Sequence, residues 1–150
     1  MGEQKVSLVD DSAMMQRFVR KLLKDVQALE YMLQHDWFER DTIRIGAEQE
    51  MCMVDAKTLK PAPIAMEALE KMKKYPWVET ELARFNLEIN LQPHEFQGDC
   101  LRRMETETLD RLGKIRKKLE GLDARVILTG ILPTLRKYDL HLDNLTPKKR

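Results

Sequence analysis

No apolar run in this sequence approaches the roughly 20 residues needed to cross a bilayer. The opening Met1-Gly2-Glu3-Gln4-Lys5 also lacks the basic-then-apolar layout of a signal peptide. The chain is therefore expected in the cytoplasm. An excess of one charge is missing too. With 26 basic and 25 acidic residues the net charge is +1, which leaves no electrostatic footprint for nucleic acid or for an anionic membrane. Cysteine is scarce. Cys52 and Cys100 have no close spacing, and a chain of 150 residues buries enough core without a disulfide, so both are expected as buried free thiols. His35, His94 and His141 do not cluster with the cysteines, which excludes a zinc site. Nothing marks a nucleophile elbow or a Gly-rich phosphate loop. Internal repeats and low-complexity segments are absent as well.

What is present is a series of periodic segments. Lys5-Val6-Ser7-Leu8-Val9-Asp10-Asp11-Ser12 resembles the opening of a response-regulator receiver domain, where paired acids follow the first strand. The likeness stops there, without the alternating parallel strand and helix units a receiver needs. An acidic helix start accounts for the same residues. From Ser12 to His35, Met15, Phe18, Leu22, Val26, Leu29 and Leu33 recur at three- and four-residue steps, the stripe of an amphipathic helix. Residues 1–41 thus read as a helical lead-in and residues 42–150 as a second domain.

In that second part, Thr42 to Asp55 reads as a strand. Ile43, Ile45, Ala47, Met51 and Met53 share one face, and Arg44, Gly46, Glu48, Glu50 and Cys52 share the other. The prolines of Ala56–Pro63 make a loop. A short helix is expected from Pro63 to Lys74, ended by Tyr75-Pro76-Trp77. Arg84 to Leu91 alternates strictly, with Glu88 and Asn90 on the polar face. After the break Gln92–Gly98 a helix runs to Leu119, with Leu101, Met104, Leu112, Ile115 and Leu119 inward and Gly121 closing it. Arg125 to Leu132 reads as a buried strand stopped by Pro133, and Leu135 to Leu145 as a further strand or loop. The order predicts an α+β domain, its antiparallel or mixed sheet covered by helices on one face.

Carboxylates two apart on a strand stand roughly 6 to 7 Å apart, within reach of one cation. If the strand of Glu48 and Glu50 lies beside that of Glu88, three acids and Asn90 converge. Such a cluster is costly unless a cation or basic side chains compensate it. Magnesium or manganese suits oxygen donors. Arg44 and Arg84 fall on the same polar faces by parity, so a solvated face with cross-strand ion pairs explains the pattern without any metal, and spacing alone favours it.

Three motifs together resemble the glutamate-cysteine ligase type 2 family of carboxylate-amine ligases, which shares the glutamine synthetase fold and chemistry. They are Ile45-Gly46-Ala47-Glu48-Gln49-Glu50, the segment Glu81 to Asn90 with acids seven apart, and Thr129-Gly130-Ile131-Leu132-Pro133. The resemblance spans about Arg44 to Asn144. It implies Glu48, Glu50, Glu81 and Glu88 as ligands of magnesium or manganese, with Asn90 and Arg84 near the substrate or nucleotide. ATP would phosphorylate a substrate carboxylate, and an amine would then attack the acyl phosphate. The partners it implies are small-molecule acid and amine substrates, with homo-oligomers in scope. Parity sets Glu81 opposite Glu88 if both lie in one regular strand, so a bulge or strand start is expected between them. The family's histidine before the proline is Leu132 here, and its threonine after Glu-Ile-Asn is Leu91. Family members are longer, so the chain is expected to be an N-terminal part, inactive by itself. The other readings are an interaction module that docks through its long helix, and a receiver-like signalling domain using Asp10 and Asp11.

Overall fold

The computed structural model describes residues 11–147, and their contacts divide them into two units, one up to Ile43 and one from Arg44 to Pro147. The first unit is built on helix α1 (Ser12–Gln34). Asp11 starts it: its carboxylate accepts a 2.6 Å hydrogen bond from the Met14 N–H, satisfying one of the donors a helix start leaves open. The acidic helix start read from the sequence is thus in place at Asp11, while Asp10 and the receiver-like segment from Lys5 lie outside the described residues. No side chain of α1 is buried. At its C-terminal end Tyr31 stacks on His35 at 3.8 Å between ring centres and meets Trp37 edge-on at 5.8 Å.

The second unit runs β1 (Arg44–Ile45), β2 (Glu48–Asp55), α2 (Ala65–Lys71), β3 (Val78–Thr80), β4 (Asn86–Asn90), β5 (His94–Glu95), α3 (Cys100–Leu119) and β6 (Ala124–Ile127). One sheet has the order β3-β4-β2-β6 with every pair antiparallel, and β1 and β5 form a separate two-stranded ribbon. The fold is α+β, as the order of elements predicts. Because strand side chains alternate, Met51 and Met53 of β2, Leu87 and Ile89 of β4, and Ala124 and Val126 of β6 fall on one face. Ala65, Ala68 and Met72 of the α2 region and Leu112, Ile115 and Leu119 of α3 close over that face, making the main core. The opposite face carries a small second cluster of Cys52, Val54 and Leu132, flanked by Ile127 and Leu135. Both cysteines are buried free thiols.

Several boundaries differ from the periodic reading. The first strand is broken at Gly46-Ala47, so Arg44 sits in the ribbon opposite Glu95 instead of in the main sheet. The helix after the proline loop is shorter, starting at Ala65 because Pro61 and Ala62 still follow β2: Pro61 bridges Val54 and the Ala62 N–H bonds the Met53 carbonyl at 3.0 Å. On α3 it is Cys100, not Leu101, that faces in; Leu101 is exposed. Gly121 lies in a 3-10 turn, and the left-handed residue that ends the helical run is Asp123. β6 stops at Ile127, since its pairing with β2 covers only Cys52 to Asp55. Leu132 then folds back as a plug on the second cluster. The segment after Leu135 forms short 3-10 turns, Lys137–Leu140 and Leu142–Asn144. Among the described residues no helix is long and apolar enough to cross a membrane.

Candidate metal centre

The open face of the main sheet gathers acids because of register. In the β2–β4 pair Glu50 stands directly opposite Glu88, and Glu48 opposite Asn90. Directly paired residues share a face, with β-carbons roughly 5 Å apart. On the other side of β4, Glu79 of β3 is the direct partner of Glu88. Three strands thus set Glu79, Glu88 and Glu50 in one row. Glu81 joins them from the turn after β3, and one oxygen each of Glu50, Glu81 and Glu88 lies within 4.8 Å of the others.

The turn carrying Glu81 is held from outside the sheet. The Thr146 hydroxyl donates to the Glu81 carbonyl at 2.5 Å, the Thr146 N–H to the Leu82 carbonyl at 2.9 Å, and the Arg84 N–H to the Asn144 carbonyl at 2.7 Å. The Glu81 carboxylate itself accepts from the Leu82 N–H. Glu81 and Glu88 therefore do not share a strand: they face each other across the β3–β4 turn, which removes the parity conflict expected for one continuous strand.

Glu88 is 2% exposed, and its Oε1 has no hydrogen-bond partner. Burial pushes its carboxyl above the usual carboxylate range, and the charges of Glu48, Glu81 and Glu50 push the same way; a hydrogen bond from the Asn90 side chain opposes them. Cys52, next along this face, is held above the usual thiol range by burial and by Glu50, with the Asn86 amide 3.8 Å from its sulfur opposing. It stays a neutral thiol, so the donors here are carboxylate oxygens. An orphaned buried carboxylate oxygen amid two other carboxylates fits a hard cation such as magnesium or manganese.

Of the residues singled out from sequence, Glu50, Glu81 and Glu88 come together, and Glu48 lies at the edge, close enough to act on Glu88 by charge. Asn90 supports Glu88. The Arg84 guanidinium donates to the Asp143 carbonyl at 3.5 Å. Leu132 is buried beside Cys52 and Val54. Glu79 was missed, because a three-residue strand directly after Tyr75-Pro76-Trp77 is too short to show alternation; its spacing of two from Glu81 was the available signal. Comparisons with protein-family models, with curated proteins and with solved structures return no match for this chain.

The cluster has a consequence without any ion. Glu88→Gln keeps a side-chain oxygen for Asn90 and removes a charge directly opposite Glu50. It should stabilise the metal-free protein by about 0.5–1 kcal/mol in urea unfolding at neutral pH, the size of a relieved cross-strand repulsion.

Proposed function

We propose that this chain is part of an ATP-dependent carboxylate-amine ligase resembling the glutamate-cysteine ligase type 2 family. Glu50, Glu81 and Glu88 are the core of its magnesium or manganese site, with Glu48 at the edge. The observation that carries the reading is Glu88, which buries an unpartnered oxygen between two other carboxylates on the sheet face that α2 and α3 leave open. Leaving such a group uncompensated is costly. Glu50 is distant in sequence from Glu81 and Glu88, and the β2–β4 register fixes Glu50 and Glu88 face to face.

A bound divalent ion supplies neutralisation of phosphate charge during phosphoryl transfer. The chain's own residues do the placing: Asn90 steadies Glu88, and Asn144 to Thr146 hold the Glu81 turn. The co-substrate is ATP, the other substrates are a small carboxylic acid and an amine, and the amide forms through an acyl phosphate. This chemistry carries a cytoplasmic location with it. Leu132 fills the place of the family's histidine with apolar packing, so the donor set is all carboxylate.

A second reading, a module that acts by docking, is favoured by the bare apolar stripe of α1. The two separate in one titration. Manganese added to this chain, followed by the electron-spin signal of free ion, should show saturable binding that Glu50→Gln and Glu88→Gln each weaken about tenfold or more, as loss of a ligand does. Binding unaffected by both substitutions would end the ligase reading of this face.

A further inference from the structure

Helix α1 has 23 residues, and none of its side chains is buried. Most helical stability in proteins comes from packing an amphipathic face rather than from propensity. The face in question is specific. Met15, Val19, Leu22, Val26, Leu29 and Leu33 follow one another at steps of four, three, four, three and four. That mean step of 3.5 keeps a seam turned toward a partner helix over its whole length. Each of the six is 42–55% exposed.

The seam is complementary to itself. Reversed against a second copy, Met15 meets Leu33, Val19 meets Leu29 and Leu22 meets Val26, every layer closing under a two-fold axis. Charge selects the direction. Asp25 and Glu30 flank the seam, while Arg17, Arg20, Lys21 and Lys24 lie on the far side of the helix. A parallel pair sets Asp25 against Glu30 of the other copy twice. The antiparallel pair sets Glu30 beside Gln16 and the basic turn that starts at Arg17, and it opposes the two helix dipoles. Only Asp25 then faces its own counterpart, with Lys21 one turn earlier on the same helix to offset it. The same arrangement disfavours an anionic lipid surface, since the acids would lie at the headgroups and the bases would point away. Covering the half-exposed seam and the flanking Phe18 and Leu23 on two helices buries on the order of 1,000 Å² or more, the size a specific interface needs.

We propose that α1 is a dimerisation helix that pairs antiparallel with α1 of a second copy of this chain. The inference is independent of the metal centre. Sedimentation equilibrium of the full chain should show a concentration-dependent dimer, weakened about tenfold or more by Leu22→Glu, because a charge in the seam is unpaired. No residue of α1 is buried within the chain, so the variant keeps its core, and an unchanged unfolding midpoint of the remaining structure checks this. Single Leu22→Cys and Val26→Cys variants, mixed and oxidised, should cross-link to each other and not to themselves; Cys52 and Cys100 are buried and stay out of the reaction. A monomer at every concentration overturns the proposal, as does a dimer indifferent to Leu22→Glu. Self-linking single variants overturn the antiparallel pairing. A monomer that sediments with phosphatidylserine vesicles overturns it in favour of a lipid surface.

Discussion

Arg111→Met should cost the fold about 3 kcal/mol in urea unfolding, the cost of breaking a buried pair by removing one partner. The Arg111 side chain is 7% exposed. Its guanidinium donates to the Asn90 carbonyl at the end of β4 and to the Glu107 carboxylate one turn back on α3, and lies 4.8 Å from the centre of the Trp77 ring. Methionine fills similar volume but leaves the Asn90 carbonyl and Glu107 without that partner; Glu107 keeps only the Gln92 N–H at 3.3 Å and the His94 Nε2 at 3.6 Å, neither of which reproduces the buried guanidinium. Adding Glu107→Leu to Arg111→Met should recover most of the loss, because the second change removes the stranded charge. A double variant no more stable than the single one would show that Arg111 acts by packing on Trp77 alone. The pair was visible in sequence only as an i,i+4 spacing on a helix, a pattern shared by many exposed pairs.

That contrast explains how much of the fold the residues disclosed. Alternation of large apolar residues over four or more positions survives any tertiary context, so Met51, Met53, Leu87 and Ile89 were legible as one buried face. Short elements carry no period. β3 has three residues, and β1 and β5 have two each; they exist because neighbours pair with them, and that information is not local. The same holds for Val126 to Leu132. Seven residues that look like one buried strand divide at Ile127, since β2 offers pairing only from Cys52 to Asp55 and the rest turns back to bury Leu132.

The site was legible where parity decided it and obscure where topology did. Glu48, Glu50 and Glu88 follow from the alternation of two strands. That the strands are neighbours, and that Glu50 pairs directly with Glu88, required the sheet order. Glu81 could not be placed from parity, because a turn clamped by Asn144 to Thr146 separates it from Glu88. Arg44 and Arg84 share the polar parity of the acids, but the break at Gly46-Ala47 puts Arg44 in the ribbon in register with Glu95, and Arg84 lies in the turn and reaches the Asp143 carbonyl.

The second large effect is on stability with ion present. Manganese or magnesium at one hundred times its dissociation constant should raise the unfolding free energy by about 2.7 kcal/mol, the mass-action gain for a ligand that binds only the native state. Its pH dependence follows from Glu88. With no ion, the folded state holds the Glu88 proton more tightly than the unfolded chain does, because burial and the neighbouring acids raise its carboxyl. That contribution is fully present below the ordinary glutamate range and is lost as pH rises through the raised folded value. The metal-free protein should therefore lose stability across this window. Binding an ion needs the carboxylate deprotonated, so the gain from manganese should grow with pH over the same window and offset the loss. Glu88→Gln should flatten the metal-free slope and reduce the ion's gain together. If manganese stabilises wild type and Glu88→Gln equally at every pH, the ion binds elsewhere on the chain, and the three glutamates are a strained polar face and nothing more.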